Sequence, residues 1–534
     1  MTQHGHSRTR RPSSVRITVA GCFLSAASWA QCETAEFSGA TVIGENFGRN
    51  VALAADVLVV GSEGGGGIFD GGKAWIYRLS DTGPVLEAEL IGPNPMPTDW
   101  YGFSVDADGD RVVVGAPQRD DAGLNSGSVF TYVSNGAAWQ LEAQLLGADT
   151  ALGDDFGYSV ALRGDTLVAG AVFDDDGGES TGSVYVFTWD GVSWSQQAKL
   201  LAPDAKPGDR FGQVVTLGED VLVVTARNGD TPAAIDSGAV YVLRRQSSAW
   251  AFEAKLSMPD LIPGDRFGHA LDTDGPRVVA STPFGRDPSA DVFLWTGSAW
   301  VLEASLVPED PEGTFGFGVS AALDGDTILV GASVSDGLLV ESGTAYVFHR
   351  DLQGWSESAE LYAADGKTFD GFGYSVDVEG DMGVIGAYFD SDVGTFAGSA
   401  YLFTGVAADP VWTGRGLMLP GSDGSPCMCG SGPLLAGEPR ALSLRNAAPS
   451  SPTTLVIGLS YLAAPFKGGV LGPTPQLLLT GLVTDGSGEL ALAVTWPPGV
   501  PEGVDFYFQH WIVDATGPKG LAASNTLQAT TPGI

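Results

Sequence analysis

Cations, histidine, cysteine and long apolar runs are all scarce in this chain. Lys and Arg together number 27 against 64 Asp and Glu, a formal net charge of -37. A field of that sign opposes nucleic acid and anionic lipid, whose phosphates are gripped by clustered Lys and Arg. Cations and neutral polymers stay open as partners. Of five histidines, two lie in the first six residues, which leaves His269, His349 and His510 for any proton transfer. Only His269 directly follows an aromatic-glycine step, where other units carry Tyr158 or Tyr374, so it reads as a packing variant rather than a general base. Four cysteines are too few for a disulfide-built scaffold. No run of 18 or more apolar residues occurs beyond the N-terminus, which excludes a helical membrane span there.

Glycine, by contrast, is abundant, with 75 residues. Much of it is periodic. An aromatic-glycine step recurs at Phe47, Tyr101, Phe156, Phe211, Phe267, Phe317 and Phe372, at intervals of 54, 55, 55, 56, 50 and 55 residues. A period of that length indicates a propeller or solenoid.

The unit from Phe156 to Arg210 displays the internal pattern. Residues 158–162 and 166–171 are short apolar, β-branched runs joined by Arg163-Gly164-Asp165, a glycine-bearing hairpin. After an Asp/Gly/Ser loop, 183–189 alternates as a third strand; Asp190-Gly191 turns the chain and 194–201 is the fourth. Four antiparallel strands make one propeller blade. The hairpin recurs at Asp108-Gly109-Asp110, Asp324-Gly325-Asp326 and Glu379-Gly380-Asp381, and Trp139, Trp250, Trp300 and Trp355 open the fourth strands. The expected fold is all-β: a seven-bladed propeller followed by a small C-terminal β-sandwich.

The stretch 101–117, YGFSVDADGDRVVVGAP, resembles the FG-GAP repeat, the blade unit of the integrin alpha-chain propeller and of many secreted bacterial proteins. The resemblance covers about 35–411. Integrin repeats often carry a calcium loop between the first two strands; here that segment is a tight turn, as in Asp377-Val378-Glu379-Gly380-Asp381, too short to supply six to eight oxygens. The chain resembles the shorter bacterial variant, for which the resemblance implies no established activity.

Residues 1–30 read as an export signal: Arg8, Arg10, Arg11 and Arg16 precede an apolar segment from Ile17 to Trp29, with Ser28 and Ala30 at the cleavage positions. The product is then secreted, periplasmic or on the cell surface. Residues 31–411 are assigned to the propeller, 412–434 to a linker and 435–534 to the sandwich, whose strand-like runs are 453–459, 476–483, 489–496 and 504–514. The seventh unit ends at Phe403 without an evident fourth strand, while Ala35-Glu36-Phe37 repeats the fourth-strand element with no blade before it. The N-terminal strand is therefore expected to complete blade seven and remove the free sheet edges; residues 412–419 are the competing candidate. Cys32, Cys427 and Cys429 are the disulfide candidates, with a Cys32 bridge to one of the pair, a local Cys427–Cys429 bond and free thiols all open.

Acidic residues supply the remaining candidates. Asp149, Asp204, Asp260, Asp310 and Asp365 lie seven residues before a unit's first aromatic, and Asp99, Asp154, Asp209, Asp265 and Asp370 two before it. Turn capping explains them first; a cation or ligand surface is the second reading. In the loops between second and third strands, Asp174, Asp175 and Asp176, Asp120 and Asp121, and Asp390 and Asp392 repel one another unless neutralised, which makes them weak metal candidates, with calcium the ion. Arg163-Gly164-Asp165 spells an adhesive tripeptide but occupies a hairpin position shared by other units. No nucleophile elbow with partners and no phosphate-cradling Gly-Lys pair appears. The expected function is a secreted or cell-surface binding or adhesion scaffold without catalytic residues or cofactor, taking an extracellular protein or glycan. The alternative is a propeller enzyme acting on an extracellular polysaccharide, which two acids and an aromatic platform converging in a deep axial pocket would favour.

Overall fold

The computed structural model describes residues 16–19, 32–38 and 44–407 apart from 65–70, 81–82, 232–233, 248, 310–314 and 338. Beyond 411 it describes 412–415, 426–431, 439–445, 447–467, 469–486, 488–495, 500–501, 503–524 and 526–531. Among these residues the chain is all-β, with a single 3-10 turn at Pro518–Gly520.

Seven antiparallel sheets form the blades. Blade 3, for example, consists of Phe156–Arg163, Thr166–Ala171, Ser183–Trp189 and Trp194–Leu200. The first three strands of a blade are largely buried and the fourth alternates toward solvent, because the inner strands pack between two neighbouring blades and the last faces outward. The aromatic of each step is fully enclosed in that packing. The glycine after it has positive φ and no room for a side chain: a Cβ on Gly48 (φ 82°) would meet the Ser399 carbonyl oxygen at 2.2 Å.

Four of the seven blade junctions share one bond at the inner strands. Ser104 Oγ donates to the Gly157 carbonyl (2.9 Å), Ser159 to Gly212 (2.7 Å), Ser320 to Gly373 (2.8 Å) and Ser375 to Gly48 (2.8 Å). The last of these runs from blade 7 to blade 1. At the outer rim Cys32–Ser38 pairs antiparallel with Ser399–Thr404 as the fourth strand of blade 7. Its pairing skips Thr34, just as the fourth strands of blades 2, 3 and 4 skip Glu142, Gln197 and Glu253. Ala35 and Phe37 are thereby buried in the shared core. Arg16–Val19 lies outside that strand as a fifth. The competing segment pairs elsewhere: Trp412–Arg415 lies against Thr526–Thr530 of the C-terminal domain.

That domain is a β-sandwich. One sheet joins Cys427–Ser431, Pro439–Arg445 and Leu490–Thr495; the other orders Trp412–Arg415, Thr526–Thr530, Asp505–Val513, Pro452–Gly458 and Leu477–Val483. Met428 and Leu442 from the first pack on Leu455, Phe508 and Ala529 from the second. The runs expected at 453–459, 476–483, 489–496 and 504–514 become strands within two residues of those bounds. Segment 412–434, expected as a linker, instead supplies two strands, because cross-strand partners remote in sequence hold Gly- and Pro-rich stretches extended.

Candidate ligand site at the mouth of the axial channel

The seven innermost strands surround a cavity of about 1680 Å³ along the propeller axis. Equivalent positions in each unit form rings around it. Five residues after each aromatic the ring reads Ala52, Asp106, Ala161, Thr216, Asp272, Ala322 and Asp377. Each Asp, half-buried in the wall, latches the next blade: Asp106 Oδ2 accepts from the Leu162 N–H (2.6 Å), Asp272 Oδ2 from Leu323 (2.8 Å) and Asp377 Oδ2 from Leu53 (2.6 Å). The other oxygen accepts from the following residue's N–H, and on Asp272 also from Thr216 Oγ1. Burial raises Asp106 to about 7 and Asp272 to about 6, and holds Asp377 well above the ordinary carboxylate range; charge from the other two Asp adds to Asp377.

One mouth of the channel is acidic, rimmed by Asp108, Glu219, Asp274, Asp324 and Glu379 with Arg163 among them. The other has a different chemistry. Two residues after the aromatic its ring reads Arg49, Phe103, Tyr158, Gln213, His269, Val319 and Tyr374. Above it stand the loops that follow the second strands, with Arg227, Phe284, Tyr388 and Phe389. Tyr374, Tyr388 and Phe389 meet in series as tilted rings with centroids 3.9 and 3.8 Å apart, and Phe103 lies 4.8 Å from Tyr158. Arg49 is fixed by Glu63 (2.8 Å) and the Tyr374 hydroxyl (3.1 Å) and covers the Phe103 ring. His269 meets the edge of Phe284 at 5.0 Å. Burial, with Arg227 nearby, pushes it down to about 4, so the imidazole is neutral at neutral pH.

The residue immediately before each aromatic is left-handed in every blade, and of these Gly371 lines the cavity. Asn46, Trp100, Asp155, Arg210 and Arg266 have φ of 56°, 52°, 54°, 59° and 59°; the remaining two blades use Gly316 and Gly371. Only Asn and Asp tolerate that conformation comfortably among side-chain-bearing residues, so Trp100, Arg210 and Arg266 hold strained positions three residues from cavity-lining ones.

The acids of the loops after the second strands carry their own partners. Asp174 accepts from Ser183 Oγ (2.7 Å) and the Tyr185 hydroxyl (3.0 Å) and pairs with Lys199 (2.7 Å), which also holds Asp176. Asp121 pairs with Arg119 (2.6 Å), Asp120 accepts from the Asn125 N–H (2.8 Å), Asp390 from the Tyr401 hydroxyl (3.0 Å), and Asp392 pairs with Lys367. Asp175 is exposed. Among the described residues no three of His, Cys, Asp and Glu gather in a metal-holding group. Asp99, Asp154, Asp209 and Asp265 cap their turns by accepting from the N–H three residues earlier, whereas Asp149, Asp204 and Asp365 accept from the hydroxyls of Tyr185, Tyr241 and Tyr401; Asp310 lies outside the described residues. Gly164 sits in its hairpin at φ 56° and donates its N–H to Asp108. The strands bearing Cys32, Cys427 and Cys429 approach one another, but those side chains lie outside the described residues. The mouth residues escape a search for repeats because they are the positions at which blades differ; the signal available was a bulky Trp or Arg where other units have Gly.

Five stretches, 85–132, 139–187, 194–243, 300–348 and 355–403, match the model of the FG-GAP repeat. No curated protein matches the chain. Among solved structures it is similar to the periplasmic gluconolactonase of Pseudomonas aeruginosa, at 16% identity and TM-score 0.40 over 65% of this chain and 95% of that one. It is also similar to the oligogalacturonate lyase of Vibrio parahaemolyticus, at 8% and 0.39 over 73% and 98%, and to the acylaminoacyl peptidase of Pyrococcus horikoshii, at 11% and 0.36 over 63% and 48%.

Proposed function

Starting from a chain that is an FG-GAP repeat protein, with five matched units between residues 85 and 403, we propose that it is a binding scaffold acting outside the cytoplasm without catalysis. It takes its ligand, an extracellular protein or glycan, at the aromatic mouth of the axial channel. The observation that carries this reading is a concentration of solvent-facing aromatics on one rim. Phe284, Phe369, Phe389 and Phe396 line the cavity while remaining 51%, 57%, 38% and 46% exposed. Water-exposed rings around a deep concavity are favourable to cover, and a ligand covers them. Export rests on the basic and apolar pattern of residues 8–30.

Catalysis on a polymer has one observation on its side: Asp106 and Asp272 share the channel and titrate at about 7 and 6, values suited to proton transfer near neutrality. Against it stands their engagement. Each is held by two backbone N–H donors, and each spans to the next blade, which is what a structural latch requires. A glycan and protein array probed with the chain lacking residues 1–30, with and without calcium, tests the proposal. Retention of a ligand unchanged supports binding, and conversion of an arrayed glycan to product supports the enzyme.

A further inference from the structure

We infer that Arg210, Arg227 and Arg266 form a carboxylate-binding subsite on the wall between blades 4 and 5, and that it receives the acid group of a carboxylated sugar. This rests on the reading of the mouth as a ligand site. The three arginines are brought together by the fold. Arg210 and Arg227 flank the cross-strand pair Phe211 and Ala226, so they emerge side by side. Arg266 is the equivalent of Arg210 in the next blade and lies over Phe284, whose edge is shared by His269. Arg227 and His269 line the cavity directly.

These arginines lie together without an acid; Arg163, Arg245 and Arg286 also lack a paired carboxylate, but Arg245 donates to Thr166 Oγ1 and Arg163 and Arg286 are exposed. Arg49, Arg78, Arg111, Arg119, Arg244, Arg277 and Arg350 each pair with Asp or Glu. Among the described residues none pairs with Arg210, Arg227 or Arg266, in a chain with 64 acids against 27 cations. The acids next to them in sequence, Asp209 and Asp265, are held by the N–H groups of Lys206 and Ile262 in their own turns. Three half-buried guanidinium groups repel one another, and a bidentate carboxylate relieves that repulsion. The backbone adds a second sign. Arg210 and Arg266 keep left-handed conformations at a position where blades 6 and 7 use glycine. Such strain persists where the side chain has work that glycine cannot perform.

The rest of the subsite suits a sugar. Phe284 and Phe173, the latter beneath Arg210, offer apolar faces. Gln213 and Tyr158, which line the cavity, offer hydrogen-bonding groups, and the neutral His269 borders them with a buried Nδ1 that has no partner. The negative field of the whole molecule repels a densely charged polyanion. The fitting ligand is therefore a mainly neutral glycan bearing an isolated uronic acid.

Titration calorimetry with xylo-oligosaccharides carrying one glucuronic acid, in several linkages, tests the assignment. The controls are the same oligosaccharides with the acid reduced to glucose, and an acidic hexapeptide. The acid form is expected to bind at least tenfold more tightly than the reduced form. Arg227→Gln and the double variant Arg210→Gly, Arg266→Gly should each remove that preference. The glycine variant should melt at the same or a higher temperature, since glycine relieves the positive φ; a lower melting temperature with the acid preference intact would make the arginines structural and overturn the subsite. Equal binding of acid and reduced forms, with both lost in Tyr374→Ala, overturns the subsite while sparing the ligand mouth. Preference for the peptide, or no heat with any oligosaccharide, overturns the assignment as well.

Discussion

Ser375 Oγ donates to the carbonyl of Gly48 across 2.8 Å, although the two residues are 327 positions apart. The same bond joins blades 2 to 3, 3 to 4 and 6 to 7, so the chain closes its ring with the device used inside it. Gly386 shows how tight this junction is: a Cβ there would lie 1.9 Å from the Gly48 oxygen.

Closure therefore depends on the N-terminal strand at the rim and on the serine at the axis. Deleting Cys32–Ser38 uncovers the blade 7 core and removes Phe37, a buried side chain worth about 1.5–3 kcal/mol on its own. Ser375→Ala should cost about 1 kcal/mol. Thermal unfolding is expected to rank the deletion well below Ser375→Ala and both below the intact chain. A deletion that melts with the intact chain would contradict this closure.

Glycines of the two hairpin and junction classes should respond differently to the same change. Gly164 has φ 56° and open space around it, so Gly164→Ala carries only left-handed strain, about 1 kcal/mol. Gly386→Ala drives a methyl into the backbone of blade 1 and should destabilise several times more. Denaturant unfolding of the two variants checks the order.

Asp106 and Asp272 give a signed pH effect. Their folded values, about 7 and 6, lie above the roughly 3.9 of an unfolded Asp. The folded chain therefore binds protons more tightly, and this contribution to stability is fully present below about pH 4 and lost as pH rises through about 7. Asp106→Asn cannot ionise, so its decline in melting temperature between pH 4 and 7 should be shallower than that of the unaltered chain. An identical slope would show that Asp106 does not titrate in that window.

Lys199 stands among acids that the sequence offers as weak metal candidates. It pairs with Asp149, Asp174 and Asp176, and Asp174 is held below the ordinary carboxylate range despite its burial. Lys199→Met leaves these acids uncompensated and should cost on the order of 3 kcal/mol. The unaltered chain should melt alike in calcium and in chelator, whereas a drop in chelator would restore a metal to these loops.

Much of this fold is legible in the sequence because a buried aromatic and a positive-φ glycine recur at Phe156, Gly157 and their counterparts in every blade, with a bridging serine at Ser104, Ser159, Ser320 and Ser375. Strand bounds and the fourth strand at Ala35 follow from that register. The site was less legible for the same reason. Asp106, Asp272 and Asp377 occur in three units of seven and bond to residues of the next blade, a relation that no local spacing displays. Arg210 and Arg266 precede the conserved-looking step and read as turn residues until the ring brings them beside Arg227. In the C-terminal domain, strands at Cys427–Ser431 and Trp412–Arg415 depend on partners remote in sequence.

On the reading proposed above, the aromatic mouth binds its ligand and does not transform it. The most direct measurement is the array described above, repeated with Tyr374→Ala and Phe389→Ala and followed by mass analysis of the retained ligand. Retention by the unaltered chain, loss of retention in both variants, and a ligand recovered with unchanged mass are expected on that reading. Product formation that disappears in Asp106→Asn, or retention indifferent to both mouth variants, would contradict it.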